Sequence, residues 1–228
     1  MNRLSGNHSN RLVMRIVMSV YGLFFLSLMQ SAYAQEAIIV ADFSKNSLSS
    51  WNEKEFFKKT VYTLKKLSDH VILNASSQQS ASGLFKEIHI DLKKTPYVNW
   101  SWKIDNQLKG INERSKEGDD YAARIYLVKK HALLFWKTKA LNYVWSSNQN
   151  KGASWDNAYT SQAKMLAVEG QMSDVGQWYT EKRNVRDDFK RLFGETVDSI
   201  DVVAIMSDTD NSKKSVSASY GKLFFTAQ

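Results

Sequence analysis

Tyr97-Val98-Asn99-Trp100-Ser101-Trp102-Lys103-Ile104 is the stretch whose reading decides the fold class. In an extended chain successive side chains point to opposite faces. Val98, Trp100, Trp102 and Ile104 therefore share one face, and Tyr97, Asn99, Ser101 and Lys103 share the other. Apolar residues alternating with polar ones mark a half-buried strand. The two tryptophans read as core, because each has polar neighbours on both sides in the chain. Pro96, the only proline, stands just before this run, where a missing backbone donor is tolerated.

Upstream, Leu84 to Leu92 alternates in the same way, and Gln78 to Ser82 is a polar turn. Thr60–Leu67 and His70–Ala75 read as a hairpin about Ser68-Asp69, and Ala37–Phe43 as a first strand followed by a loop from Ser44 to Trp51. Downstream, Asp105 to Asp120 is a long polar loop, a kind that tends to be functional or mobile. A strand begins at Tyr121, with Tyr121, Ala123, Ile125 and Leu127 on a core face and Arg124, Tyr126 and Val128 on the other. Leu133–Trp136 and Leu141–Trp145 are two further apolar runs, and Ser146–Ser161 is a polar loop carrying Trp155 and Tyr159. Lys164–Glu169, Trp178–Val185, Ile200–Met206 and Val216–Phe225 complete the strands, with a turn over Ser207–Lys214. One helix is predicted over 187–193: acids open it, Phe189, Leu192 and Phe193 recur on one face, and Gly194 stops it. About ten strands with turns every 8–12 residues or so predict an all-β chain, an antiparallel sandwich or barrel forming a single domain over 35–228.

Residues 1–34 read as a leader. Arg11 and Arg15 precede a mostly apolar run from Ile16 to Met29, and Ala32-Tyr33-Ala34 offers a small-residue cleavage site, so a signal peptide cleaved after Ala34 is expected. The apolar run is shorter than the roughly 20 residues of a membrane-spanning helix, and no later stretch is long and apolar enough. The expected location is periplasmic or secreted. Without the three leader arginines the net charge falls from +8 to +5, mild basicity that suits acidic partners weakly. For an exported chain of that charge no nucleic-acid partner is expected. Cysteine is absent, which excludes thiol catalysis, disulfides and Cys-based metal sites. His70, His89 and His131 lie too far apart in the sequence for a local His-based metal motif.

Several short motifs carry chemistry. Asp208-Thr209-Asp210-Asn211-Ser212 places oxygen ligands at alternate positions, as a calcium loop begins, but Lys213 and Ser219 stand where an EF-hand needs Gly and Glu. Asp208 and Asp210 are thus candidate metal ligands, with calcium the candidate ion; a polar turn bonding its own backbone is the plainer alternative. Asp119 and Asp120 point opposite ways if extended, so they serve one glycosidic bond poorly. A structural pair of Arg124 with Asp120 is the simplest role for that guanidinium. A lyase would use Tyr126 or Tyr143 as base. No nucleophile-elbow or phosphate-loop motif is present.

Trp100-Ser101-Trp102-Lys103, Gly118-Asp119-Asp120-Tyr121-Ala122-Ala123-Arg124, Tyr143-Val144-Trp145 and Ala204 to Asn211, with Tyr220-Gly221 behind, resemble a bacterial exported family known as domain of unknown function 3047. The likeness covers nearly the whole mature chain. It implies a β-sandwich of jelly-roll or galactose-binding-like outline and brings no activity with it.

Aromatics make up 12% of the chain. Sugars stack on aromatic faces while Asp, Asn and Arg bind their hydroxyls. The expected function is a non-catalytic module holding a carbohydrate or other acidic envelope component, with Asp120, Arg124, Tyr126, Tyr143 and Trp145 as ligand-binding residues. A polysaccharide hydrolase or lyase using the same face, and a protein-interaction domain whose aromatics are core, stand as alternatives.

Overall fold

The computed structural model describes residues 37–45, 47–131 and 133–228. The expected leader, 1–34, and its cleavage site lie outside the described residues. In chain order the strands are β1 (Ile38–Ala41), β2 (Asn52–Phe57), β3 (Val61–Lys66), β4 (Val71–Gln78), β5 (Ala81–Asp91), β6 (Tyr97–Ile104), β7 (Arg124–Lys129), β8 (Lys139–Trp145), β9 (Ser154–Asn157), β10 (Thr160–Glu169), β11 (Tyr179–Asn184), β12 (Ser199–Asp208) and β13 (Ser215–Thr226). The α-helix α1 spans Val185–Phe193. No helix among the described residues is long and apolar enough to cross a membrane.

The strands form two sheets. One has the order β11-β6-β13-β4-β3, with β1 pairing β13; the other runs β2-β5-β12-β7-β8-β10-β9. Every pairing is antiparallel except β8 with β10, so the second sheet is mixed and the all-antiparallel expectation needs that one correction. The parallel pair follows from the chain between them, which makes β9 as an edge strand antiparallel to β10. Where a polar loop was expected over 146–161, β9 therefore stands. β2 was also not expected, since Asn52-Glu53-Lys54-Glu55 lacks apolar alternation and every residue of the strand is exposed.

Val98, Trp100, Trp102 and Ile104 are all fully buried, as their alternation requires. They meet the inner face of the mixed sheet across the sandwich: the Trp100 ring stacks on Tyr143 at 5.3 Å, and Trp102 lies 5.9 Å from Trp145. Burying aromatics of this size is what stabilises a fold without disulfides. The Tyr143 hydroxyl, carried into the core, donates to Asp188 of α1 at 2.9 Å, and Arg183 grips the same carboxylate at 2.6 and 2.9 Å. Helix α1 begins at Val185, ahead of the expected 187, because the Asn184 side chain caps it by accepting from the Asp187 N–H; Gly194 stops it as expected, at φ +73°. Leu133, Phe135 and Trp136 make no strand. β7 turns back into β8 across 130–138, so this run is the connection between them, and Leu133 is 87% and Phe135 80% exposed.

Candidate functional site

The outer face of the mixed sheet carries the chemistry. On β7, Ile125 and Leu127 face the core, which sends Arg124 and Tyr126 outward. Register then sets their neighbours: Tyr126 lies opposite Asn142 of β8 on one side and Ala204 of β12 on the other. Arg124 lies opposite Val144 and Met206. A cleft of about 340 Å³ opens over this row, floored by Arg124, Tyr126, Asn142 and Met206. Asp119, Asn157, Tyr159, Asp208, Asp210 and Asn211 stand around it, with Phe56 of β2 across the opening. Beyond Tyr126 and Met206 the cleft continues into an apolar groove of about 290 Å³ past Phe85 and Val128.

One wall is a small second core on the same outer face. Tyr121 and Trp155 cover Val144, Met165 and Ala167. Tyr121 was expected in the main core with Ile125, but the strand starts only at Arg124, so alternation does not reach back to it. The loop that places it is locked by Glu113, whose buried carboxylate accepts the Ser146 hydroxyl and the Ser147 N–H, the latter at 2.7 Å. The Glu113 carbonyl takes the Tyr121 hydroxyl and the Trp155 indole N–H. Gly118 is required here, because a Cβ would stand 2.3 Å from the Asn112 carbonyl oxygen.

Arg124 is 3% exposed, and its guanidinium lies between the rings of Tyr121 (4.5 Å) and Tyr126 (5.2 Å). It is bonded to Asp208, not to the Asp120 expected from proximity in sequence, and Asp119 stands 3.9 Å away. Asp120 is spent otherwise: its two oxygens accept the N–H groups of Asn211 (3.2 Å) and Ser212 (2.5 Å), clamping the turn after β12. Asp119 accepts from the Asn157 amide at 2.9 and 3.0 Å. Burial, aided by the charges of Asp119 and Asp120, pushes Asp208 up to about 7 against the pull of Arg124. Burial likewise raises Asp119, and burial with the Asp120 charge raises Asp210. Burial works against the charge on Arg124, but Asp208 and the surrounding acids hold it firmly protonated. The Tyr126 phenol is pushed up by burial.

Of the sequence candidates, Arg124, Tyr126, Asp208 and Asp210 meet at the cleft, with Asp120 directly behind. Tyr143 and Trp145 do not: they sit on the opposite face of β8, fully buried in the main core. Asn142, Asn157, Asn211 and Phe56 were not read as site residues. For Asn142 a signal existed, since it alternates with Leu141 and Tyr143 on β8.

The carboxylates of Asp120, Asp208 and Asp210 offer oxygens within 4.8 Å of one another. Calcium takes about 6–8 oxygens. Here Asp208 is bound to a guanidinium and Asp120 to two backbone N–H groups, so these residues fit the ion poorly.

The family model for proteins of unknown function, DUF3047, matches residues 49–224. The chain belongs to the DUF3047 family. A search of curated proteins finds no match to it. Among solved structures, this DUF3047 chain is similar to the cellulose induced protein Cip1 at TM-score 0.51 and 8% identity, covering 85% of this chain and 97% of that one. It is also similar to the family 30 carbohydrate-binding module of a cellulosomal cellulase from Clostridium thermocellum, at TM-score 0.49 and 8% identity over 85% and 98%. The glycoside hydrolase domain of Endo-D from Streptococcus pneumoniae R6 matches at TM-score 0.40 and 9% identity; 78% of the DUF3047 chain is covered but only 22% of that chain. At such identities the likeness establishes a β-sandwich and nothing more.

Proposed function

We propose that the protein is an exported, non-catalytic module that holds a carbohydrate or envelope glycan in the outer-face cleft. One observation carries this reading. Two buried polar atoms of residues that line the cleft have no partner among the described residues: the Arg124 Nε, a donor, and the Asn142 Oδ1, an acceptor. Leaving such groups unpaired is costly. A hydroxyl both accepts and donates, so it satisfies both kinds of group, and a sugar carries several. Tyr126, half-exposed Phe57's neighbour Phe56, and Tyr159 add aromatic surface for stacking, and Tyr159 is 57% exposed. Export rests on the leader's composition.

The catalytic alternatives are less well served. A lyase needs a phenolate, and burial holds the Tyr126 proton more tightly than an ordinary phenol's. A hydrolase is favoured by one observation: Asp208 and Asp210 bring two carboxylates together in the cleft, as a glycosidase pair must be. Its weakness is that Asp208 is tied to Arg124.

The test is affinity electrophoresis of the purified protein through gels holding a panel of polysaccharides. Retardation on one or more gels is expected, lost in Tyr126→Ala and Asn142→Ala variants that still unfold cooperatively, with the polymer recovered at unchanged length. Shortened polymer moves the assignment to the hydrolase. Equal mobility on every gel removes the glycan reading.

A further inference from the structure

The cleft is richer in acceptors and negative charge than a neutral sugar requires. Its lining contains the carboxylates of Asp119, Asp208 and Asp210 and a single cation, Arg124. Asp120 stands directly behind, close enough that its oxygens and those of Asp208 and Asp210 lie within 4.8 Å of one another. Arg124 is already bonded to Asp208 and faces Asp119. Even with Asp208 pushed up to about 7, the one guanidinium faces the carboxylates of Asp119, Asp120 and Asp210, which leaves the pocket negative. Lysines do approach the rim: Lys116 lies over the Tyr159 ring at 5.3 Å, and Lys213 donates to the Asp210 carbonyl at 2.5 Å. Both are exposed, where water and salt screen them. Asp119 and Asp208 are buried, where the field of a charge is stronger and a cleft focuses it.

The unspent hydrogen-bonding capacity points the same way. Asn142 is 1% exposed; its amide donates to the carbonyls of Ala140 and Lys164 at 3.3 Å each, and the Oδ1 at the other end of the carboxamide accepts nothing. Among the described residues no other residue donates to the Asp210 carboxylate, which takes only its own backbone N–H, and Asp210 lines the same cleft. One carboxylate and one carboxamide oxygen that take no donor from a neighbouring residue call for a ligand group that is donor-only and positive. An ammonium has three donors and no acceptor.

We infer that the glycan taken by this cleft carries free, protonated amino groups, as a deacetylated amino-sugar polymer does. This rests on the glycan reading and narrows it. Hydroxyls of the sugar ring meet Arg124 Nε and the edge of Tyr126, while an ammonium on the same ring or the next lies against Asp210 and Asn142 Oδ1. Acetylation of the amine removes the charge and most of the donors. A uronate would bring a carboxylate towards carboxylates, so the cleft discriminates against acidic glycans by repulsion as well as by lost bonds. The acidic partner suggested by the chain's overall positive charge is thereby replaced: the surface average is basic, and this cleft with its unpaired polar groups is acidic.

The experiment is calorimetric titration of the purified protein with four oligosaccharide probes of matched length: glucosamine, N-acetylglucosamine, glucose and galacturonate oligomers. The pH is held where the amines are protonated. The glucosamine oligomer is expected to bind at least tenfold more tightly than its acetylated counterpart, with affinity falling as salt rises, and the galacturonate oligomer is expected not to bind. Asp210→Asn is expected to lower glucosamine-oligomer affinity tenfold or more, while Asp69→Asn, on the distant β3–β4 turn, leaves it unchanged. Acetylated or neutral oligomers binding as well as the amine, in a Tyr126-dependent way, overturn the inference and leave the glycan reading standing. Equal losses in the two Asp variants also overturn it, because they mark diffuse attraction of a polycation. Calcium that binds at Asp210 and brings no amine preference assigns the charge to a metal and overturns it as well. No heat with any of the four probes, together with no retardation on any polysaccharide gel, removes the glycan reading itself.

Discussion

The two faces of the mixed sheet are made by the same strands and obey different rules. On the inner face Leu141, Tyr143 and Trp145 of β8 meet Trp100 and Trp102 from the opposite sheet, and polar atoms are few. On the outer face Asn142 of β8, Arg124 and Tyr126 of β7 and Asp208 of β12 stand together, buried or half-buried and polar. Residues one apart in sequence thus belong to a packed interior and to a cleft. The inner face is stabilised by area removed from water, which any well-fitting apolar side chain supplies. The outer face is held by specific partners, and its ion pair is costly to break and adds little if replaced whole. An interior tolerates no solvent ligand; a cleft with unpaired polar atoms invites one.

The inner face predicts the largest loss. Trp145→Ala should cost about 3–5 kcal/mol in urea denaturation, since the void cannot be refilled by neighbours from two sheets. If this variant kept its stability and lost only glycan binding, the division between the faces would be wrong. On the outer face Arg124→Met leaves Asp208 buried and unpaired, and should cost about 3–5 kcal/mol. Here the double variant Arg124→Met/Asp208→Leu should recover most of the loss, a rescue that no second substitution gives Trp145→Ala. Failure of the rescue would mean the pair contributes net stability of its own.

A third test concerns Glu181 of β11, which meets Glu169 of β10 in the other sheet. Burial and the neighbouring Glu169 carboxylate push Glu181 up to about 7, from its ordinary 4.5. A raised folded value means that the proton favours the fold: the stabilisation is present below about pH 4.5 and is lost as pH rises through about 7. Urea midpoints should therefore fall between pH 5 and pH 8, and Glu181→Gln should flatten that fall. An unchanged slope in the variant would show that Glu181 does not titrate in this window.

Tyr159→Ala should have the smallest effect on folding, within about 0.5 kcal/mol, because the ring is mostly in solvent. Its effect on glycan affinity should be about tenfold, or about 1.4 kcal/mol. Comparing unfolding with binding in this one variant separates the outer face's stability from its chemistry most cleanly.

How far the chain could be read from its residues depended on whether the signal was local. The strand from Tyr97 to Ile104, the hairpin about Ser68-Asp69 and helix α1 with its Gly194 stop were legible because alternation, turn residues and caps each need only a few neighbouring positions. β2 was not, since an exposed edge strand carries no apolar pattern. The apolar run Leu133–Trp136 carries no sign of its own exposure, because hairpin geometry, and not composition, makes it a connection.

The site divides in the same way. Sequence alone determined that Arg124 and Tyr126 leave the core face together, because the two-residue period of a strand is a local property. It determined the β-sandwich class and the lack of thiol chemistry too. Only the tertiary structure decided that Arg124 pairs with Asp208 instead of Asp120, that Tyr143 and Trp145 are interior, and that Asn142, Asn157 and Asn211 border the cleft. Those facts depend on strand order and register, which bring β7, β8 and β12 side by side from distant parts of the chain. No spacing within the sequence encodes that order, since it is set by how two sheets bury their aromatics against each other.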